Sequence, residues 1–337
     1  MANENSGLHA AKRNKKDEFY TQIVDIEREL RHYRRHFKGK VVYCNCDDPY
    51  VSAFLEYFTK NFEFLGLKKL ITTCYKSQRM DLFSQNDSEE AIKLEYTGGA
   101  QNSLPTPDDI GVTPLKGDGD FRSQECIDIL NEADIVVTNP PFSLFSEYVA
   151  QLASFDKKFI IIGHQNAITY KDVFPIIKGN RMWLGYGFKR NMAHFIAPHY
   201  DDTASDADHR EGMIRVSGVV WYTSLDHNKR HEEMILVQRY HSNETAYPRY
   251  DNYDAIEVSK TQHIPMDYEG AMGVPITFLT KYNPDQFKII GATESEGKGF
   301  SSGLWNPESG VAQAAINGKR VYKRLFIRNR KPVALEA

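Results

Sequence analysis

Two consecutive prolines stand one residue beyond the β-branched run Ile135-Val136-Val137-Thr138, and nothing else in the sequence constrains the local chain so firmly. Proline has no N–H to give to a ladder, and its ring is excluded from helix interiors, so neither element continues through Pro140-Pro141. The strand must therefore end near Thr138, with Asn139-Pro140-Pro141-Phe142 at its carboxyl end. In open α/β sheets that edge is where ligands bind.

The flanking sequence supports such a sheet, because strand-like and helix-like segments alternate over the first two-thirds of the chain. Residues 25–37 place Ile26, Leu30, Tyr33 and Phe37 on one helical face, with Asp25 as the expected cap. Residues 40–45 read as a strand. Asp48 and Pro49 then read as N-cap and first position of a helix striped by Val51, Phe54, Leu55, Phe58 and Phe62. Residues 70–75 read as a second strand. The polar stretch 78–115 reads as an excursion with a short hairpin around 92–96. A helix over 123–133 capped by Ser123, the strand 134–138, a helix marked by Leu144, Phe145, Tyr148, Val149 and Leu152, and a buried strand over 158–163 complete the alternation. Beyond about residue 180 the pattern becomes aromatic and strand-like, as in 182–188 and 219–223, with the acidic stretch 200–217 read as a loop. Trp183 and Trp221 read as core. From about 240 the chain is rich in Tyr, Asn and Pro, which suggests a second module.

At 337 residues and 41% hydrophobic, the chain can bury one large core and a smaller one. Its net charge of −3 does not by itself announce a polyanion binder. The charge is uneven, however. Lys12, Arg13, Lys15 and Lys16 form one basic run, and Arg34, Arg35, Lys38 and Lys40 another. The tail residues Arg320, Lys323, Arg324, Arg328 and Arg330 interleave with Val321, Tyr322, Leu325, Phe326 and Ile327, as a strand with a phosphate-facing side would. Cys44, Cys46, Cys74 and Cys126 lack zinc-site spacing and read as reduced thiols, so no metal is expected. Apolar runs are too short to span a bilayer and no signal-peptide core follows the polar N-terminus, so a soluble cytoplasmic protein is expected.

The residue types of the proline motif suit one chemistry. The lone pair of a base or amide amino group is delocalised and poorly nucleophilic. Two acceptors aimed at its hydrogens can localise that lone pair. The Asn139 side-chain oxygen is one candidate, and the rigidly held Pro140 carbonyl is the other. Phe142 can stack on a base that has been flipped from its helix. Transfer from a sulfonium donor then needs positioning more than a strong base. Asn-Pro-Pro-aromatic after a hydrophobic strand marks enzymes that methylate amino groups of adenine, of guanine in RNA and of protein glutamine. Two other segments have ligand-binding character: Gly117-Asp118-Gly119-Asp120-Phe121, and Asn45-Cys46-Asp47-Asp48-Pro49 between a strand and a helix. His164, Gln165 and Asn166 either border the site or form a satisfied structural cluster.

Together these pieces resemble the EcoRI-type DNA adenine methyltransferases. Residues 17–22, 41–49, 68–75, 117–122, 134–145, 250–256 and 273–279 carry the resemblance, which extends from about residue 15 to about 330. It implies a Rossmann-like α/β sheet with helices on both faces that uses S-adenosylmethionine. It also implies a C-terminal target-recognition module that reads double-stranded DNA. On this reading residues 1–235 form the catalytic domain and 236–337 the recognition module, in the gamma order of motifs. Tyr20 and Thr21 are implied at the methionine end of the cofactor, Asn45 and Asp47 at its middle, and Asp120 and Phe121 at its adenine, with Asp118 beside them. Asn139, Pro140, Pro141 and Phe142 are implied to receive the target base. Departures from the general methyltransferase pattern stand at two places. Cys44-Asn45-Cys46-Asp47-Asp48-Pro49 replaces the glycine-rich loop after the first strand, and Cys74-Tyr75 stands where a ribose-binding acid is usual. A partner beyond DNA, a cognate restriction endonuclease, is compatible with the resemblance, and a monomer is the expected state. An RNA or protein-glutamine methyltransferase, or a non-catalytic DNA-binding protein with this fold, are the competing readings; the full-length resemblance and the intact motif weigh against them.

Overall fold

The computed structural model describes residues 21–46, 48–75, 90–99, 105–189, 192–196, 213–293, 300–301 and 303–334. Its contacts divide the chain into two compact units, Met1–His164 with Leu184–Leu225, and Gln165–Trp183 with Asp226–Ala337.

In the first unit the helix α1 (Ile23–Leu30) precedes β1 (Val41–Asn45), and α2 (Ala53–Lys60) leads to β2 (Lys69–Thr73). The expected caps differ from those found. Gln22 stands at the N-cap of α1, and Asp25 sits in the first turn, where it binds Arg28 at 2.7 Å. Ser52, not Asp48, caps α2 by accepting from Leu55 N. Asp48 instead accepts from Tyr50 N (2.9 Å) in the turn before it, which leaves Val51 exposed, off the buried stripe. A cap needs a side-chain oxygen one step before the first helical N–H groups, and Ser52 holds that place.

The excursion after β2 contains the hairpin of β3 (Ile92–Tyr96) and β4 (Val112–Pro114). The helix α3 (Gln124–Glu132), capped by Ser123, leads to β5 (Ile135–Thr138), and α4 (Phe145–Ser154) to β6 (Lys158–His164). Next come the short β7 (Trp183–Leu184), where the chain passes between units, then β8 (Met192–Ile196), β9 (Met213–Ser217) and β10 (Val219–Thr223). The stretch 200–217, expected as a loop, thus ends in a strand: β9 pairs antiparallel with β8, and residues 197–212 lie outside the described residues.

The sheet order is β4-β3-β2-β1-β5-β6-β10-β7. Strands β2, β1, β5 and β6 are mutually parallel, while β3 and β10 run antiparallel to their neighbours β2 and β6. Strand alternation sorts the side chains. Val42, Cys44, Ile135, Val137, Ile160, Ile162 and Trp221 share one core cluster with Ile26 and Leu30 of α1 and Phe54 and Phe58 of α2. Burying each such side chain contributes roughly 1.5–3 kcal/mol. On α4, Phe145 packs against Tyr222 of β10 with ring centroids 5.0 Å apart. A Cβ on Gly163 of β6 would lie 2.4 Å from the Phe145 ring, so only glycine admits this close approach.

In the second unit a four-stranded sheet runs β11-β12-β16-β13, formed by β11 (Ile256–Glu257), β12 (Met272–Pro275), β13 (Phe287–Ala292) and β16 (Arg324–Asn329). A two-stranded ribbon joins β14 (Ala315–Ile316) to β15 (Lys319–Arg320). The Tyr-rich segment explains itself here: Tyr250 and Tyr253 sit in a core with Phe326. Between them Asn252 clamps a loop, donating to Val311 O (2.7 Å) and Gln313 O (2.8 Å) and accepting from Ala315 N (3.0 Å).

The expectation of a phosphate-facing tail strand needs correction for Arg324. Strand β16 lies between β12 and β13, and Arg324 forms an ion pair with buried Glu257 (2.7 Å), which also accepts from Tyr250 OH. Removing one partner of a buried pair leaves the other charge uncompensated, at a cost of about 3–5 kcal/mol. Glu257→Ala is therefore expected to lower the urea unfolding midpoint accordingly; a wild-type midpoint would show that the pair does not hold this sheet.

Candidate active site

Strand β1 lies between β2 and β5, so the connections leave it in opposite directions, and the crevice at a topological switch point opens at the carboxyl ends of β1 and β5. The residues at those two ends are Asn45 and Asn139. Both are buried, as are Thr138 and Pro140, while Pro141 and Phe142 are half-buried. Thr138 Oγ1 donates to Asn45 O and so ties the two strand ends together. Leu144 N donates to Pro141 O (3.0 Å), closing a turn that starts α4 immediately after the motif.

Helix α4 then reaches three groups around the crevice. Tyr148 OH donates to Asn45 Oδ1. The same ring meets Phe121 edge-on at 5.0 Å. One turn further, Gln151 Nε2 donates to Phe121 O (3.0 Å); Glu147, the residue before Tyr148, pairs with Arg122 at 3.2 Å. Arg122 in turn grips Asp120, with its Nε 2.8 Å from Oδ1. The Arg122 guanidinium holds the Asp120 carboxyl below its ordinary range, so it stays ionised into mild acid. Burial pushes the Tyr148 phenol well above its ordinary value, which keeps it a hydrogen-bond donor at any physiological pH.

The acidic loop is placed by Gly119. Its φ is +78°, and a Cβ there would stand 2.1 Å from Cys74 O, so the loop rests directly on the backbone beyond β2. Asp118 Oδ1 accepts from Asp120 N (3.0 Å) and shapes the turn. At the end of β1, Cys46 has a φ of +74°, the left-handed region that glycine occupies most easily. The chain thus makes the sharp turn of a glycine-rich loop with a cysteine.

Thr21 is buried, and its Oγ1 has no hydrogen-bond partner among the described residues. The adjoining Gln22 donates to His194 O on β8 (2.8 Å), and the next residue of that strand, Phe195, meets Phe142 edge-on at 6.3 Å. Strand β8 therefore links the Thr21 segment with the proline motif. Tyr20 and Asp47 lie outside the described residues, as does the basic run at 12–16. In the second basic run, Arg34 covers the Phe64 ring and Lys40 pairs with Asp134. Trp183 and Trp221 are both buried, and Trp221 stacks on Phe188 at 5.6 Å. His164 O accepts from Tyr222 OH (3.0 Å) within the sheet, and Asn166 accepts from Tyr322 OH (2.8 Å) within the second unit. Tyr148, Glu147, Gln151 and Arg122 were missed from sequence. For the first three the signal was polar groups at helical spacing directly behind the proline motif, on a helix read only for its apolar stripe; Arg122, two residues beyond Asp120, lay at the edge of the acidic segment.

An open sheet with an Asn-Pro-Pro-Phe turn at its switch point, helices behind it and an acidic loop beside it defines an amino-methylating enzyme that uses S-adenosylmethionine. The sequence model of the family described as "Adenine-specific methyltransferase EcoRI" matches residues 7–330. The chain is 48% identical to the Type II methyltransferase M.EcoRI of Escherichia coli, covering 97% of each chain. It is 36% identical to the Type II methyltransferase M.MpnI of Mycoplasma pneumoniae, covering 97% of this chain and 99% of that one. No solved structure gave a significant match. The chain belongs to the EcoRI adenine-specific DNA methyltransferase family, and its co-substrate is S-adenosylmethionine.

Tyr148→Phe removes the donor to Asn45 Oδ1 and strands a buried acceptor, a loss of about 1–3 kcal/mol. The expected outcome is an S-adenosylmethionine Kd weakened about tenfold in calorimetric titration. A wild-type Kd in the folded variant would show that the Tyr148–Asn45 bond does not support cofactor binding.

Proposed function

We propose that the chain methylates adenine N6 within a short duplex DNA site, with the base flipped into the crevice at Asn139. The observation that carries this reading is the bond from Thr138 to the Asn45 carbonyl, which sets the strand end that leads into buried Asn139 beside the end of β1. A duplex hides the amino group in its stack, so the buried position of Asn139 requires extrusion of the base. Asn139 Oδ1 and the Pro140 carbonyl accept the two amino hydrogens and localise the nitrogen lone pair. Phe142, half-buried against Phe195, offers the base a face. No side chain need act as a strong base, because the amino proton becomes acidic only as the nitrogen is alkylated.

The residues present fit S-adenosylmethionine, which supplies a methyl group on a sulfonium sulfur. The buried Thr21 hydroxyl has an unmet hydrogen-bonding capacity that suits the polar methionine end, together with Tyr20. Asn45 and Asp47 hold the middle, and Asp120 and Phe121 the adenine. Asp118 takes the ribose hydroxyls: its loop rests on Cys74 O beyond β2, the very strand end where a ribose-binding acid is missing. We assign catalysis to residues 1–235 and sequence reading to 236–337, supported by the separate core and sheet of the second unit. The enzyme acts as a monomer on cytoplasmic DNA, alongside a restriction endonuclease of the same specificity.

Expression in cells that lack adenine methylation, followed by sequencing that detects 6-methyladenine directly, tests the function. Methylated adenines confined to one short motif are expected, and an unmodified genome despite folded protein would overturn the reading. Asn139→Ala is expected to cut methyl transfer by about a hundredfold or more while cofactor binding persists. Near-wild-type turnover by that variant would sink the proposed role of the side chain.

A further inference from the structure

A cavity of about 560 Å³ lies wholly within the second unit, and its walls carry Lys178, Arg230, Lys288 and Arg330 against the single carboxylate of Asp285. Two features, one in the cavity wall and one in the strand pair that borders it, carry an energetic cost in the protein alone. The first is Arg230. It is only 9% exposed, and its buried Nε has no hydrogen-bond partner among the described residues. Its other nitrogens reach Asp226 (3.4 Å) and Asn180, and its guanidinium lies 3.7 Å over the Trp183 ring. An unmet buried donor costs about 1–3 kcal/mol.

The second is a clash of like charges. Lys288 of β13 stands directly opposite Arg328 of β16 in the antiparallel register. Arg330 follows two residues on, on the same side by strand alternation, and Arg330 Nε donates to Phe287 O (3.2 Å). Like charges directly opposite each other in a sheet are destabilising. Lys288, Arg328 and Arg330 form no ion pair among the described residues, whereas Arg324 on the neighbouring stretch of the same strand is fully matched by Glu257. A sheet that neutralises one arginine with care and leaves three cations together is shaped for an anion supplied from outside.

We propose that this cavity seats a backbone phosphate of the DNA duplex, held by Lys178, Lys288 and Arg330 with Arg230 behind them. The proposal rests on the reading that the chain methylates duplex DNA, which provides the polyanion. Arginine and lysine neutralise phosphates with release of counterions, and such contacts fix register without reading sequence. The site is therefore an anchor rather than a reader of bases.

Lys178→Gln and Lys288→Gln, both at exposed positions, test it by fluorescence anisotropy on labelled duplexes over a range of salt. Each is expected to weaken binding severalfold, about equally for duplexes with and without the recognition sequence, and to reduce the salt slope by about one. Lys288→Gln is also expected to raise the unfolding midpoint of the DNA-free protein, since it removes the repulsion with Arg328. Wild-type affinity and salt slope in both variants would overturn the proposal. So would a loss confined to duplexes that carry the recognition sequence, or a loss accompanied by a lowered midpoint. A wild-type chain that binds no DNA would instead overturn the function itself, so the two failures are distinguishable.

Discussion

The contact on which the catalytic unit turns is the junction of β1 and β5 at their carboxyl ends, where Thr138 bonds the Asn45 carbonyl and Tyr148 bonds the Asn45 side chain. Neither bond is exposed to water, since Thr138, Asn45 and Tyr148 are all buried, so each is shielded from competition. Through this junction the segment proposed to hold the cofactor and the segment proposed to hold the base share one hydrogen-bonded unit. Methyl transfer depends on holding a donor carbon and an acceptor nitrogen about 3 Å apart and in line, where small errors of position are costly. Coupling the two strand ends directly, without an intervening loop, limits how far they can drift apart.

Helix α4 extends that coupling. It starts at the turn closed by Pro141 O and carries Glu147, Tyr148 and Gln151 to Arg122, Asn45 and Phe121. The prolines thus do more than stop a strand. They set the angle at which a helix leaves the sheet, and that helix organises the far side of the crevice. Gly163 makes the approach possible, since any side chain there would displace Phe145 and lift the first turn of α4 off β6.

Much of this was legible in sequence, because it follows from local rules. Pro140-Pro141 announced the strand end, Ser123 the start of a helix, and the unbroken runs of Val and Ile the buried strands. What escaped was what depends on distant partners. Asp48 looks like a cap, but Ser52 stands nearer the first free N–H groups of α2. The left-handed turn at Cys46 gives no sign of itself, because cysteine is not a residue that favours it. Tyr148 reads as one more apolar stripe residue until its hydroxyl meets Asn45. Arg324 reads as a phosphate contact until Glu257, distant in sequence, is found beside it.

That last case bears on how a chain of net charge −3 can act on a polyanion. Counting cations along the tail overstates what is available, because Arg324 is spent on the fold. What remains is set by geometry: Lys288 and Arg328 face each other across two strands, and Arg330 follows on the same side. Such a cluster raises the local potential far above the average of the chain, and local potential is what attracts a phosphate. Clustering also raises the free energy of the unbound protein, so part of the attraction to DNA is the relief of a repulsion already present in the sheet. An acidic chain can therefore hold DNA firmly at a few places while the rest of its surface repels nonspecific contact.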